Sequence, residues 1–232
     1  MEHKPKRQTR ARIRNAALLL FNRFGEPNVT LSAIAADVGI SHGNLHYHYP
    51  SKERIVDDLV QDYLVEIEAT FALPGARAVE ADDLWLFLHL TFETILRHRF
   101  LYRDLIELLS RHRVIEKQIR RVIEEQTRTA EALLAGLAAR GALLVDPFET
   151  RALAERMVFV ATWWLCHAYV LNPRAEPDGD TLARGVARCL SLAAPYLREQ
   201  ERTHFDKLSG HYTKKGGDKN DGEENKVATL RR

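Results

Sequence analysis

Apolar residues recur along this chain at the spacing of an α-helix, and no segment shows the strict alternation of a half-buried β-strand. In the first segment, apolar side chains follow Ile13 at i+3, i+4, i+7, i+8 and i+11, ending at Phe24, and Gly25 and Pro27 then stop the helix. The pattern predicts an all-α protein whose first helix carries one continuous apolar face.

Three further helices follow, each with a residue type that is typical of a helix end. Thr30 is suited to cap a second, short helix, which Gly39 ends because glycine tolerates a positive φ. Ser41 is suited to cap a third short helix that runs to about Tyr47, and a fourth helix is predicted over residues 51–71.

Five more helices are predicted beyond a break at residues 73–75, which brings the total to about nine. Their apolar periodicity and end signals place them at 82–96, 100–109, 114–140, 147–171 and 181–198. In the last helix, Ala183, Ala187 and Ser191 are small residues at i, i+4 and i+8, a spacing that lets another helix approach closely.

Composition fits this picture of a helical globular protein. The chain has 232 residues, of which 45% are hydrophobic, and its N-terminus shows no uninterrupted apolar stretch of a secretory signal. Cys166 and Cys189 are too few for a disulfide framework and lack the spacing of metal ligands. We therefore expect a cytoplasmic protein with no cofactor and no structural metal.

One uncharged segment, Met157–Pro173, tests the expectation of solubility. Its 17 residues reach the lower limit of what can cross a bilayer as a helix. It also contains Thr162, His167 and Asn172, and a buried helix in a bundle explains this composition without placing an imidazole in lipid. We therefore predict no membrane partner.

The formal net charge of +2 conceals an uneven distribution. Residues 1–54 carry a charge of +5, residues 55–205 carry −5, and residues 206–232 carry +2. A basic N-terminal segment in an otherwise acidic protein is consistent with binding of a polyanion. A run of charged residues is, however, more often a solvent-exposed face without a partner.

The segment from Thr30 to Lys52 meets the physical requirements of a helix-turn-helix. Small Ala35 lies where two helices touch, Gly39 lies in the turn, and Leu45 is an apolar anchor on the second helix. The other positions of that second helix are polar or minimal, as a surface that contacts bases must be: Ser41, His42, Gly43, Asn44 and His46.

At these residues the chain resembles the tetracycline-repressor (TetR, AcrR-like) family of bacterial transcriptional regulators. The family pattern has Leu-Phe-x-x-x-Gly, Thr-x-x-x-Ile-Ala, Gly-Val-Ser-x-Gly-x-Leu-Tyr-x-His-Phe and Lys-Glu. The corresponding residues here are Leu20-Phe21 with Gly25, Thr30 with Ile34-Ala35, Gly39-Ile40-Ser41 with Gly43, Leu45-His46 and His48-Tyr49, and Lys52-Glu53. The resemblance implies an all-α homodimer with an N-terminal DNA-binding domain.

The resemblance also implies roles for individual residues. It assigns His42, Gly43 and Asn44 to base contact, with Asn44 suited to adenine. The residues that it assigns to phosphate contact, or to its support, are Thr30, Tyr47, His48 and Lys52. His46 stands where the family usually has tyrosine and Tyr49 where it usually has phenylalanine, so the role of position 46 is left open.

Each of these assignments has a structural alternative. His42 and His46 are spaced i, i+4, which can be metal-ligand spacing, but no carboxylate or thiolate accompanies them and we favour histidines that face DNA. Tyr49 is expected to be a core aromatic residue that packs against the first helix. The basic residues of the N-terminal segment form either a solvated face or phosphate contacts, and we favour phosphate contacts, above all for Arg10. These residues are Lys4, Lys6, Arg7, Arg10, Arg12 and Arg14.

In the larger domain, aromatic residues and histidines share helical faces. These groups either line an apolar pocket or belong to a packed core with satisfied histidines. The candidate ligand-binding residues are Trp85, His89, Phe92, Tyr102, Phe159, Trp163 and His167.

We therefore predict four segments along the chain. They are a basic flexible arm (1–8), a helix-turn-helix domain (9–55), a domain for ligand sensing and dimerisation (56–205), and a disordered charged tail (206–232).

The predicted function is a repressor that binds a palindromic operator as a homodimer through helices 147–171 and 181–198 and responds to a small apolar or amphipathic ligand. A DNA-binding dimer without a ligand response is the main alternative. An enzyme that uses His89, His167 or Cys166 is disfavoured because the chain lacks a nucleophile-and-base motif.

Overall fold

The computed structural model describes residues 3–73, 75, 77–199 and 201–203, with side chains from Gln8 onward. Within these residues there is no β-strand, and the prediction of an all-α fold is confirmed. The helices are α1 His3–Phe24, α2 Leu31–Val38, α3 His42–His48, α4 Lys52–Ala69, α5 Ala81–Arg97, α6 Arg99–Arg103, α7 Leu105–Arg111, α8 Arg113–Ala139, α9 Pro147–Leu171 and α10 Gly179–Ala193. Short 3₁₀ turns lie at Glu26–Asn28 and Ala194–Tyr196.

The helix boundaries differ most from the sequence prediction in three parts of the chain. The helix predicted over 100–109 is two helices, α6 and α7, because the backbone breaks at Asp104, whose carboxylate accepts a hydrogen bond from the Glu26 N–H. The last helix begins two residues earlier than predicted, because Asp178 and Thr181 form a capping box, and it ends ahead of Pro195. Residues of the predicted flexible arm belong to α1 from His3 onward.

The chain divides into two compact units, each described here by itself. The first consists of Met1–Thr70 and Thr94–Glu124, and the second of Phe71–Glu93 and Glu125–Arg232. This division differs from the predicted one at residues 55 and 56, because the first unit also contains α4, α6 and α7. The predicted tail, residues 206–232, lies outside the described residues, as do the side chains of Lys4, Lys6 and Arg7.

The core of the first unit is built on the apolar face of α1. Ile13, Ala17 and Phe21 are fully buried, and the Phe21 ring lies 5.5 Å from the ring of Phe100. Asn22 is also buried: its side-chain amide donates to the carbonyl of Arg97, and its oxygen accepts from the Phe100 N–H. Because this one side chain satisfies a backbone group at the end of α5 and another at the start of α6, it fixes this junction against α1.

In the second unit, α9 packs closely against α10. The indole N–H of Trp164 donates to the carbonyl of Thr181 at 2.7 Å, and a Cβ at Gly185 would overlap the rings of Phe92 and Trp164. Glycine at this position therefore allows α10 to approach both aromatic rings. Among the described helices, none is both long and apolar enough to cross a bilayer. In the uncharged segment beginning at Met157, the buried residues of α9 are Met157, Val158, Ala161, Thr162 and Leu165.

Candidate nucleic-acid interface

Local hydrogen bonds set the positions of α2 and α3. The Thr30 hydroxyl accepts a hydrogen bond from the Ala33 N–H at 3.2 Å and caps α2, and the Ser41 hydroxyl accepts from the Asn44 N–H at 3.2 Å and caps α3. Gly39 ends α2 with a φ of 73°, a conformation that other residues adopt at a cost. These three predicted roles at helix ends are confirmed.

One face of α3 is buried and the rest is solvent-exposed. Leu45 is fully buried, as is Ile34 of α2, so that α3 is held by an apolar anchor. Tyr49, which follows α3, is also fully buried, and the Arg10 guanidinium of α1 lies 4.7 Å from the centre of its ring, as expected for a core residue packed on the first helix. The exposed residues are His42, Gly43, Asn44, His46 and Tyr47, which is 69% exposed.

The aromatic rings on α3 contact one another along this exposed surface. The rings of His42 and His46 stack with their centres 6.4 Å apart, and the Tyr47 ring meets the half-buried His48 ring edge-on at 5.3 Å. Within the described residues, no group of three or more His, Cys, Asp or Glu side chains is placed to hold a metal ion. The surface therefore offers imidazole, amide and phenol groups for hydrogen bonds and stacking.

Lys52 lies at the start of α4 and is held by a buried carboxylate. Its ammonium donates to the Glu26 carbonyl at 2.9 Å and lies 3.1 Å from the Glu26 carboxylate, and its side chain is only 20% exposed. Arg111 of α7 contacts the same carboxylate at 2.6 Å. Sequence analysis missed Glu26; the available signal was an acidic residue in the turn between Gly25 and Pro27.

We predict that Glu26→Gln lowers the free energy of unfolding by about 1–3 kcal/mol, because the buried amide no longer compensates the charges of Lys52 and Arg111. Urea unfolding of the full chain measures this change. Glu107→Gln, which removes an exposed carboxylate 3.5 Å from Arg111, is the matched control and should change the value by less than about 0.5 kcal/mol. Equal effects of the two substitutions would contradict the role of Glu26.

Arg10, predicted to contact phosphate, makes contacts within the first unit. Its guanidinium donates to Asp58 of α4 at 2.9 Å and to the Tyr49 hydroxyl at 3.1 Å, and that hydroxyl donates to Asp58 at 2.7 Å. Burial, as the largest cause, raises the pKa of Tyr49 to about 12, so its hydroxyl stays protonated. One turn further along both helices, Arg14 pairs with Asp62 at 3.0 Å. These two ion pairs join α1 to α4.

Comparison with known proteins identifies the family. A sequence model described as "Bacterial regulatory proteins, tetR family" matches residues 13–59, and one described as "Bacterial transcriptional repressor" matches residues 62–205. The chain belongs to the TetR family of bacterial transcriptional regulators. It is therefore a transcriptional regulator with a DNA-binding domain, and α2 and α3 are the helix-turn-helix of a TetR-family protein.

Several solved structures share the fold over most of this chain. A TetR-family regulator from Marinobacter aquaeolei VT8 superposes with a TM-score of 0.79 and 27% identity, covering 88% of this chain and 98% of that one. A γ-butyrolactone receptor (ArpA-like protein) gives 0.61 at 20% identity over 92% and 100% of the chains. SmeT in complex with triclosan gives 0.56 at 20% identity over 84% and 94%.

The curated relatives match over a shorter region. Nucleoid occlusion factor SlmA of Escherichia coli O1:K1 / APEC is 39% identical over 49 residues, which are 21% of this chain and 25% of that protein. SlmA of Klebsiella pneumoniae subsp. pneumoniae gives the same values. The match therefore spans only a quarter of the length of these relatives.

The seven residues predicted to bind a ligand belong to both units and differ in exposure. Tyr102 is buried in the first unit, where its hydroxyl lies 2.6 Å from that of Tyr63, whereas the other six belong to the second unit. Phe92 is core, packed near Gly185. The rest differ in exposure: Trp85 and His89 stack at 5.2 Å and are half-buried, Trp163 is half-buried, and Phe159 and His167 are exposed.

The second unit instead has a small cavity that sequence analysis missed. Its volume is about 10 Å³, and it is lined by Phe87, Leu88, Thr91, Gln126, Met157, Val158 and Ala161. The signal in the sequence was a polar residue on the apolar face of a helix, at Thr91 in α5 and at Gln126 in α8.

A buried histidine of the first unit gives a pH-dependent prediction. His98 is 1% exposed, and this burial lowers its pKa below the ordinary 6.5. The Glu66 carboxylate, 3.4 Å away, and the Asp62 carboxylate raise the pKa and offset only part of this effect. The charge of Arg97 lowers the pKa further. Below pH 6.5, His98 is protonated in the unfolded chain. In the folded chain it stays neutral until the pH drops to its lowered pKa. As the pH decreases through that window, the free energy of unfolding should therefore decrease, by at most about 1.4 kcal/mol per pH unit.

Urea unfolding from pH 8 to pH 5 measures this dependence. The variant His98→Leu should lose this part of the slope, while the remaining histidines contribute equally to both proteins. Identical slopes for the wild type and the variant would contradict the prediction.

Proposed function

We propose that this protein is a homodimeric cytoplasmic repressor that binds a palindromic operator and is released by a small molecule bound in the second unit. The observation that carries the proposal is the exposed polar face of α3, held out by the buried anchor Leu45. On this face, Asn44 is suited to pair with adenine, and Gly43 permits close approach to the bases. His42 and His46 are the other base-contacting candidates on the same helix.

Phosphate contacts would position α3 in the major groove. Thr30 and Ser41 cap the N-termini of α2 and α3, where backbone amides favour an anion. Tyr47 is exposed for such a contact, and His48 supports it. Lys52 and Arg10 act in this proposal mainly by holding α4 and α1 in place, because both side chains are engaged by carboxylates.

The dimer would form through a four-helix interface of α9 and α10 from two protomers. Phe159, Trp163, Cys166 and Val170 lie at i, i+4, i+7 and i+11 and form an apolar stripe on α9. Phe159 is 65% exposed and Val170 is 72% exposed in the single chain. A dimer that binds a palindrome would need its two α3 helices about 34 Å apart, the spacing of successive major grooves.

Release would follow from a change in the tilt of α4. The ion pairs of Arg10 with Asp58 and of Arg14 with Asp62 make α1 follow α4, and α1 packs on α2. A ligand that favours another orientation of α4 would thereby change the separation of the two α3 helices and lower operator affinity. Solved relatives of the same fold are named as a γ-butyrolactone receptor and as a complex with triclosan, which supports a small-molecule ligand.

A second candidate function is a DNA-binding dimer without a ligand response. The volume of the cavity in the second unit favours it, because about 10 Å³ holds about one water molecule. The name of the relatives matched over 49 residues, nucleoid occlusion factor, is consistent with it.

Selection of bound sequences from random DNA tests the first step. A palindrome with half-sites one helical turn apart supports the proposal, and binding without sequence preference contradicts it. A screen for compounds that lower affinity for the selected DNA then separates the two candidate functions, because a protein without a ligand response is released by none.

A further inference from the structure

Basic residues cluster at the junction of α7 and α8 in the first unit. Residues 111–121 include five arginines and lysines and one acidic residue, whereas residues 55–205 as a whole carry a charge of −5. The five are all exposed, and they are Arg111, Arg113, Lys117, Arg120 and Arg121. A concentration of positive charge within an otherwise acidic part of the chain is a candidate surface for a polyanion.

Four of these residues form a basic stripe along α8. The stripe consists of Arg113, Lys117, Arg120 and Arg121. Its members lie at i, i+4, i+7 and i+8, which is one face of a helix. The buried residues Ile115, Ile119 and Val122 each lie two positions, or about 200° around the helix, from a residue of the stripe. The apolar face therefore anchors α8 in the first unit while the basic stripe lies on the opposite side, in solvent.

Carboxylates engage two residues of the basic stripe and leave the other two unpaired. The guanidinium groups of Arg120 and Arg121 lie 2.7 Å and 3.6 Å from carboxylates of α8 and α4, respectively. Arg113 and Lys117 pair with no carboxylate among the described residues. Their charges are therefore available to an external anion.

The start of α8 lies next to the start of α4. Arg111, the last residue of α7, contacts the Glu26 carboxylate at 2.6 Å, and the same carboxylate lies 3.1 Å from the ammonium of Lys52. Glu53, in the first turn of α4, interacts electrostatically with Arg111 and with His112. The basic stripe therefore begins beside the N-terminus of α4.

This position is close to the proposed phosphate contacts of the helix-turn-helix. Thr30 follows Glu26 by four residues, and Tyr47 precedes Lys52 by five. Because a chain spans at most about 3.6 Å per residue, these separations are at most about 14 Å and 18 Å. They correspond to about four or five base pairs along a duplex, at about 3.4 Å for each. The start of the basic stripe is thus continuous with the DNA-binding surface.

We propose that Arg113 and Lys117 bind phosphates of the DNA duplex that flank the base pairs contacted by α3. This inference rests on the DNA binding of the proposed function, and it extends the interface to a helix outside residues 13–59. A contact to phosphate carries no direct sequence information. The basic stripe should therefore raise the affinity for selected and random duplexes alike and leave the choice of sequence to α3.

The salt dependence of DNA binding tests the proposal. Arg113→Gln/Lys117→Gln removes two phosphate contacts from each protomer of a dimer, so the slope of log affinity against log salt should become smaller by about 3 to 4. Between about 50 mM and about 200 mM salt, the wild type should then lose roughly 100-fold more affinity than this double variant. Fluorescence anisotropy with the full chain and the selected palindrome measures both slopes.

Two variants are matched controls. Arg128→Gln/Arg151→Gln removes two arginines of the second unit, whose side chains are 64% and 65% exposed, and should keep the wild-type slope. Arg113→Lys retains the charge of the basic stripe and should also keep it. Because Arg113 and Lys117 are exposed and unpaired, thermal unfolding of the double variant should match that of the wild type.

Methylphosphonate substitution locates the contacts on the DNA. Single phosphates of the selected palindrome are replaced, one at a time, by the uncharged methylphosphonate. Some positions outside the base pairs contacted by α3 should weaken binding of the wild type and have no effect on the double variant, because that variant has already lost the partner of the phosphate.

Three results would overturn the inference. They are equal salt slopes for the wild type and the double variant, identical methylphosphonate profiles for these two proteins, and an equally reduced slope in Arg128→Gln/Arg151→Gln. The third result would show that net charge alone is responsible.

Sequence preference separates this inference from the proposed function. Specific binding of a palindrome with an unchanged slope in the double variant supports the proposed function and overturns the role of the basic stripe. A reduced slope in a protein that binds DNA without sequence preference supports the basic stripe and contradicts the proposed operator.

Discussion

Asn44→Ala is expected to lower the affinity for the selected palindrome by roughly 30-fold to 10⁴-fold. The estimate takes about 1–3 kcal/mol for each amide–base pair and counts one pair in each half-site of a dimer. Asn44 is exposed on α3, and the helix cap uses its backbone N–H, which alanine retains. The loss should therefore come from base contact and leave the fold intact. Anisotropy titration at fixed salt measures it.

Gln61→Ala is the matched control for this prediction. Gln61 has the same functional group and is also exposed, but it lies on α4. It should leave the affinity unchanged, and Asn44→Ala should leave the affinity for random DNA nearly unchanged, because phosphate contacts carry nonspecific binding. A loss that is equal on random and selected DNA would contradict a role of Asn44 in base contact.

Phe159→Glu is expected to convert the proposed dimer to monomers. The dissociation constant of the dimer should rise by at least about 100-fold. A two-fold symmetric interface would receive two carboxylates, both next to the apolar stripe of α9. Affinity for the full palindrome should fall by about 10² to 10⁴, because the second half-site loses its tethered partner. Sedimentation equilibrium and anisotropy measure the two effects.

Ile106→Glu tests whether any exposed apolar residue would give the same result. Ile106 lies on α7 of the first unit and is 66% exposed, close to the 65% of Phe159 on α9. The Ile106 variant should stay dimeric. A Phe159 variant that also stays dimeric would show that this stripe is not the dimer interface.

The local features of the DNA-binding domain could be predicted from the sequence. Helix periodicity, the caps Thr30 and Ser41, and the turn at Gly39 depend on residues within four positions of one another, so the pattern contains the necessary information. The anchor Leu45 and the polar face around it follow from the same spacing. The exposed surface of α3 was therefore predicted with the correct residues.

The partners of charged residues could not be predicted in this way. Lys52 and Glu26 are 26 positions apart, and Arg10 and Asp58 are 48 apart, so only the packing of α1, α4 and the intervening turn brings them together. A basic side chain next to a helix-turn-helix is equally consistent with phosphate contact and with an internal ion pair. In the structure, the ammonium of Lys52 lies 3.1 Å from the buried carboxylate of Glu26.

The exposure of the predicted ligand-binding residues could not be predicted for a related reason. On α9, apolar residues occur on nearly every side, so periodicity does not separate buried Met157 from exposed Phe159. By itself, the sequence determined an all-helical chain, the helix-turn-helix and its exposed residues, because those depend on local spacing. Only the tertiary structure decided which apolar face of α9 is buried and which carboxylates hold Arg10 and Lys52, because these depend on contacts between distant segments.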